Sequence, residues 1–433
     1  MAEIQPLRAW RYNPEFSSRI EEFTSPLFDV VSDRQREKLY LNPLNSIHLS
    51  VPRGDNAASN AAERLKQWKL DGTLKRDELP SIYVYYQYFS LPGNRRTFCR
   101  KGFICNIRAY DWKDNVLLRH ENTIPKAVND RVDVLRSTQL NVSPTHGLYT
   151  DPSFTLEKYM DESMKNPIYD VEDYQGVRDV LSVIHDRQAI QEFISLMKEK
   201  PVILADGHHR YEGSLIYKHE MIETNPGHSG NEGYNFHLMY FTNTEADDLR
   251  ILPTHRLIQG LTSLNETKIL EQAANDFIIK PIDDPHSAVE IIAGKPWAFA
   301  LMFQENAWKV RLKPERIGEI PWKFPEVVKK LDLTVMHYFI LEKLLGIRGK
   351  DQRSSENVSF ERSFSECLNQ VQHGDKQLAI ITNGISMQEV KNVCYSGYIM
   401  PQKSTYFYPK AICGYLFSSI ENEEFQQNHI ACL

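Results

Sequence analysis

The run Pro201-Val202-Ile203-Leu204-Ala205 leads directly into Asp206-Gly207-His208-His209-Arg210-Tyr211 and then into residues of helical composition. No other stretch limits the fold as strongly. The apolar run predicts a short buried strand, and residues 211–221 predict a helix. A strand that feeds a glycine turn at a helix start gathers backbone N–H groups and the positive helix end at one point, which attracts anions. Gly207 allows close backbone approach or a positive φ. Arg210 can fork two hydrogen bonds onto phosphate oxygens. His208 and His209 can donate, accept or transfer protons near neutral pH. Asp206 can orient a histidine or hold a metal ion. The plainer alternative is a capped helix start with two solvated histidines, although a cap alone does not account for so many functional groups in a row.

Three further clusters carry chemistry. In Arg119-His120-Glu121-Asn122-Thr123, followed by Lys126, Asp130 and Arg131, Glu121 suits a general base, and Lys126 and Arg131 suit anion ligands. The alternative is a solvated loop after a strand. The second cluster is the His255-Arg256 pair in Leu252-Pro253-Thr254-His255-Arg256. The third spans residues 400–410, where Lys403-Ser404-Thr405 resembles the end of a P-loop but lacks its spaced glycines. Lys403 and Lys410 flank aromatic residues able to stack on a base, or else mark an aromatic edge strand with two surface lysines. The adjacent histidines lack the spacing of a helical zinc motif, and a zinc would have to recruit His120, His146 or His255 as well. Magnesium carried with substrate phosphates needs fewer protein ligands.

At 433 residues, 41% hydrophobic and 25% charged, the chain has ample material for a core. A net charge of −6 argues against a general nucleic-acid binder. The N-terminus has no apolar leader, and no apolar run of about 18 residues appears. The six scattered cysteines (Cys99, Cys105, Cys367, Cys394, Cys413 and Cys432) form no CxxC pair, the pattern of reduced thiols. Together these features lead to the expectation of a cytoplasmic protein outside the membrane.

Ser32 or Asp33 is expected to cap a helix over 34–39 that Asn42-Pro43 stops. Residues 46–51 read as a strand and 56–70 as a helix. Alternation over 81–89 and a second strand over 102–112, joined by a turn at Leu91-Pro92-Gly93-Asn94, predict a hairpin. Strands are expected over 177–184, 236–241 and 378–382, and a helix after Asp186. Ser263 with Glu266, and Ser386 with Glu389, are capping-box patterns, the first opening a helix to about Phe277. Residues 297–303 and 307–312 read as a hairpin, 335–345 as a helix ending at Gly346, and 350–359 as a polar, mobile stretch.

Several segments in order along nearly the whole chain resemble the family known as domain of unknown function 1015: Phe28-Asp29-Val30, Asn42-Pro43 with His48, His120-Glu121-x-Thr123, and residues 205–212, 251–256 and 400–410. The Asp206-Gly207-His208-His209-Arg210 segment is also similar to the phosphate-binding motif of the ParB/sulfiredoxin/free serine kinase superfamily. That resemblance covers about ten residues. It implies an α+β fold of mixed and antiparallel sheets with helices, built around a ParB/sulfiredoxin-like strand–turn–helix phosphate site. Four regions are expected: an N-terminal α+β region (1–175), a central ParB-like region (176–258), a small α/β insert (259–318) and a C-terminal α+β region packing back on the core (319–433).

The implied activity is nucleotide-dependent phosphoryl transfer to a small hydroxyl metabolite, with serine as a candidate. ATP or ADP would be the co-substrate, with Mg²⁺ carried by the nucleotide and Asp206 as a metal ligand. Glu121, Asp206, His208 and His209 are the catalytic candidates. Gly207, Arg210, His120, Thr123, Arg131, His255, Arg256, Lys403, Ser404, Thr405 and Lys410 are candidates for the phosphates and nucleotide. Sulfiredoxin's catalytic cysteine has no counterpart, because His208 and His209 occupy that neighbourhood. The alternatives are a phosphatase acting on phosphoserine or a similar monoester, and a nucleotide-binding switch without turnover. The expected partner is a small phosphate-containing ligand, with neither membrane nor nucleic acid, and a homodimer is a further expectation.

Overall fold

The computed structural model describes residues 2–91, 94–262, 264–349, 352, 356–400 and 403–428. The fold is α+β, with helices packed on mixed and antiparallel sheets. The chain divides into two compact units. The first comprises Met1–Arg119, Thr123–Leu249 and Pro409–Leu433, and the second comprises His120–Asn122 and Arg250–Tyr408.

The first unit is built on a nine-stranded sheet. The hairpin read from the sequence is present, with Ile82–Ser90 antiparallel to Thr97–Arg108 and Tyr83 opposite Ile104. Its second strand ends earlier than expected, before a short turn of helix at Trp112–Asp114. Both faces of Ile82–Ser90 are covered for most of its length, so its alternating pattern does not mark a solvent face. Phe236–Asn243 lies antiparallel to Thr97–Arg108 and parallel to Thr145–Tyr149. Val202–Asp206 lies antiparallel to Thr145–Tyr149 and parallel to Leu117–Arg119.

One polar cluster sits inside this core. The Asp179 carboxyl accepts from Tyr85 (2.7 Å), Gln87 (3.0 Å) and Tyr415 (3.0 Å). Burial pushes its pKa up to about 7 despite those hydrogen bonds. The C-terminal stretch laces the unit together: Ser418–Ser419 pairs with Leu140–Asn141, and Phe417 and Cys413 bridge to Trp10 and Ser25.

The second unit holds a six-stranded antiparallel sheet. Its central strands alternate cleanly. Phe299, Leu301, Leu378 and Ile380 face one core together with Phe339 and Ile340. Ala298, Ala300, Ala379 and Ile381 face a second core together with Cys367 and Val371. Side chains of alternate strand residues point to opposite faces, and here each face has its own layer of helix. A separate antiparallel pair joins Arg250–Leu252 to Tyr406–Tyr408.

Local signals placed several elements. Ser32 and Ser386 each close a reciprocal capping box, and Asp186 caps Arg187–Met197. Residues 46–51 are not a strand: Ile47–Ser50 is a turn of helix, with Asn45 Oδ1 accepting from the Ile47 N–H at 2.9 Å. Over so few residues, side-chain-to-backbone bonding outweighs apolar alternation. The helix Glu266–Ala273 is capped by Asn265 and stops before Phe277, which opens the strand Phe277–Ile282. An apolar residue at that point suits either period. Residues 336–344 are helical but widened to i→i+5 hydrogen bonding. Val358–Glu361 is a strand.

Pro92-Gly93 of the expected turn, Ser263 of the expected capping box, Lys350, Asp351 and residues 353–355 of the polar stretch, Pro401-Gln402, and Cys432 lie outside the described residues. The five described cysteines are free thiols. Among the described residues, no helix is long and apolar enough to cross a membrane.

Candidate phosphate turn and candidate anion cleft

In the first unit, the five residues of Val202–Asp206 are all buried, and Asp206 ends the strand. Gly207 follows with φ +91°, and the 17-residue helix His208–Thr224 begins at once. A Cβ at Gly207 would lie 2.5 Å from Thr145 Cγ2 and 2.9 Å from Arg210 Nη2. Both the left-handed backbone and the close approach therefore require glycine.

The Asp206 carboxylate lies between two cations. Oδ2 accepts from Arg210 Nη2 at 2.9 Å, and Oδ1 is paired with Lys410 Nζ. Arg210 Nη1 also donates to Ser143 Oγ (3.0 Å) and the Pro144 carbonyl (2.7 Å), so the guanidinium is turned into the protein. Burial alone would raise the carboxyl pKa of Asp206. Lys410 and then Arg210 outweigh that effect and hold it well below the usual carboxylate range.

Around this turn, His208 is buried, while His209 is half-buried and meets the Phe28 ring edge-on at 6.5 Å. Arg131 lies over the same Phe28 ring at 4.4 Å and donates to the Ser50 carbonyl. His146 shares a 2.7 Å hydrogen bond with Thr242 Oγ1. His237 is held between Ser214 Oγ (2.7 Å) and Thr145 Oγ1 (3.1 Å). Burial, reinforced by Arg210, lowers the His237 pKa to about 3. Thr123 is half-buried and belongs to this unit.

The second unit gathers the remaining candidates. His120 Nε2 and Thr405 Oγ1 are 2.8 Å apart, and the Met400 N–H donates to the His120 carbonyl at 2.8 Å. The Lys403 N–H donates to Glu121 Oε1 at 3.1 Å. His255 Nδ1 accepts from the Thr382 N–H at 3.3 Å. Thr254, Arg256 and Ser404 line a cleft of about 390 Å³ with Lys295, Asn383 and Gly384.

Arg256 is only 1% exposed. It donates through Nη1 to the Thr254 carbonyl and through Nη2 to His337 Nε2 at 3.3 Å. Burial lowers its pKa to about 9, against the opposing field of Glu121. Burial, with Arg256 adding to it, holds His255 at about 4 and His337 at about 3, so both imidazoles are neutral.

The expected residues thus fall into two sets. Asp206, Gly207, His208, His209, Arg210 and Lys410 meet in one unit, which also carries Thr123 and Arg131. His120, Glu121, Thr254, His255, Arg256, Lys403, Ser404 and Thr405 belong to the other. Ser143, Thr145 and His237 at the turn, and Lys295 and Asn383 at the cleft, were not expected as site residues. Only His237, in a strongly apolar strand segment, carried a local signal.

Comparison with solved structures finds a conserved hypothetical protein from Pyrococcus furiosus at 11% identity, covering 73% of this chain and 95% of that one, with a TM-score of 0.36. It also finds a free serine kinase in complex with AMP at 12% identity, covering 74% and 93%, with a TM-score of 0.38. A third is SbnI with C-terminal truncation from Staphylococcus aureus, at 12% identity, covering 75% and 93%, with a TM-score of 0.37. No curated protein matches. The family model described as "Protein of unknown function (DUF1015)" matches residues 4–334, and the chain belongs to that family.

Proposed function

We propose that the chain is a nucleotide-dependent phosphotransferase acting on the hydroxyl of a small metabolite, with the turn at Asp206–Arg210 holding the phosphates. One observation carries the reading. A strand ends in a buried acid, passes through an obligatory left-handed glycine into a long helix, and has Lys410 and Arg210 locked onto that acid. Phosphoryl transfer depends mostly on positioning and on neutralising charge. A helix start beside an anchored ammonium supplies both.

Each residue has a distinct part in this reading. Asp206 fixes Lys410 at the mouth of the turn. Arg210 is a positioning residue, since its hydrogen bonds run to Asp206, Ser143 and Pro144. His208 and His209, in the first helical turn, are the proton-transfer groups nearest in sequence to the phosphates. Glu121, the base implied by the family resemblance, is tested separately by Glu121→Gln. The residues present do not form a protein-held magnesium site at Asp206, because both of its oxygens are engaged by cationic side chains. Among the described residues, no group of three or more His, Cys, Asp or Glu could hold a metal ion.

The experiment is to incubate purified protein with ATP or ADP, with and without Mg²⁺, and a panel of small hydroxyl compounds beginning with serine, and to follow phosphorylated product. The expected result is transfer that Lys410→Met and Arg210→Ala abolish. Transfer indifferent to both substitutions would remove the turn from the reaction. Phosphate release from phosphoserine without nucleotide would favour a phosphatase. Nucleotide binding without turnover would favour a switch.

A further inference from the structure

We infer that the Arg256 cleft of the second unit is a binding site for the oxyanion group, carboxylate or phosphate, of a small metabolite. The inference goes beyond the phosphotransfer reading and rests on different residues.

Arg256 is almost fully enclosed, yet among the described residues its guanidinium donates to no carboxylate, and Glu121 acts on it through its field. The Arg256 Nε has no hydrogen-bond partner, and its other donors meet a carbonyl and a neutral imidazole. A buried guanidinium without an ion-pair partner is costly, and the field of Glu121 offsets only part of that cost. The protein keeps this group on the wall of an open cleft. Even with burial lowering it to about 9, the group is charged at neutral pH.

The two carboxylates that line the same cleft are committed elsewhere. Asp332 accepts from the Trp297 N–H (2.7 Å) and Asn383 Nδ2 (3.2 Å). Glu389 accepts from the Ser386 N–H (2.8 Å) and Oγ (2.6 Å), closing a helix cap. Lys295, whose Nζ also donates to the Ile291 carbonyl at 2.5 Å, adds positive charge to the wall, Lys330 is paired with Glu326 at 3.6 Å, and Gly384 and Ser404 add polar groups. The volume of about 390 Å³ lies at the small end of ligand pockets, which suits a compact metabolite. An arginine fork matches carboxylate and phosphate alike.

The test is calorimetric titration of the full chain with inorganic phosphate and, separately, with malonate. Each titration is repeated in Arg256→Met, Lys295→Gln and, as a control for the first unit, Lys410→Met. Saturable binding of at least one probe is expected, weakened about tenfold or more by Lys295→Gln, lost in Arg256→Met and retained in Lys410→Met. Preference between the probes identifies the phosphate or the carboxylate source. Half-buried Lys295 keeps the test decisive if Arg256→Met does not fold. The inference is overturned if neither probe binds, if binding survives both cleft substitutions, or if Lys410→Met removes it. ADP titrated into the same variants separates the two ideas: binding lost in Lys410→Met but kept in Arg256→Met supports the phosphate turn whatever happens at the cleft.

Discussion

The two units treat buried charge in opposite ways. In the first, Asp206 is bracketed by Lys410 and Arg210, and both of its oxygens are used. In the second, Arg256 is enclosed with a carbonyl, an imidazole and the Phe360 ring at 5.1 Å, and among the described residues it donates to no carboxylate. The first arrangement is internally compensated, so removing any one member strands the others. The second has no ion-pair partner among the described residues and is offset only in part by the field of Glu121, so removing its charge relieves a cost. Stability and ligand binding should therefore respond together at the turn and in opposition at the cleft.

The largest effect is expected from Asp206→Asn, which leaves two cations buried against a neutral amide. Breaking a buried pair in this way costs about 3–5 kcal/mol, measurable as a shift in the urea midpoint. The double variant with Lys410→Met should recover part of that loss, and strict additivity would show that the two side chains do not interact. Next is Gly207→Ala. Left-handed backbone at a residue with a Cβ costs about 1–3 kcal/mol, and the overlap with Thr145 adds to it. A wild-type midpoint would mean that the turn relaxes without penalty.

Arg256→Met is the converse case. It should change stability by less than about 1 kcal/mol or raise it, while oxyanion binding disappears. A loss as large as that of Asp206→Asn would show that Arg256 is a structural ion after all and would erase the contrast.

The smallest effect is in pH dependence. His237, His255 and His337 have folded pKa values near 3, 4 and 3, below the unfolded value of about 6.5. For depressed histidines the stabilising contribution is complete above the unfolded pKa and is lost as pH falls toward the folded values. Asp179, raised to about 7, works in the opposite sense, losing its contribution as pH rises through about 7. With the histidines in the majority, thermal stability should fall between about pH 6.5 and pH 4. Arg256→Met lifts part of the depression at His255 and His337, so its loss should end at a higher pH. Unchanged curves would mean that burial alone sets those two imidazoles.

Local features of this architecture were legible in the sequence. The strand–Gly207–helix turn, the helix cap at Ser32, the capping box at Ser386, and the hairpin of the first unit depend on neighbours a few residues apart, and turn and cap chemistry is written in residue types. The family resemblance extended the reading to fold class. Partnerships across the chain were not legible. Lys410 meets Asp206 from 204 positions away, and no spacing rule reports such a contact. The strand Thr145–Tyr149 was missed because Gly147 interrupts its apolar pattern, although that glycine is what lets Met239 pack against it: a Cβ there would lie 2.4 Å from the Met239 sulfur. Arg256 was legible as an anion-ligand candidate beside His255, but not as a buried guanidinium without an ion-pair partner, which is a property of the folded surroundings. Ile47–Ser50 was misread because its alternation was real while Asn45 dictated a turn.

The Asp206–Arg210 turn with Lys410 is proposed to receive nucleotide phosphates. The most direct test is calorimetric titration of ADP into wild-type protein and Lys410→Met, with circular dichroism confirming that both are folded. One saturable site is expected in the wild type, with a loss of affinity of about tenfold or more in the variant. Equal affinity in both proteins, or no binding to the wild type, would contradict it.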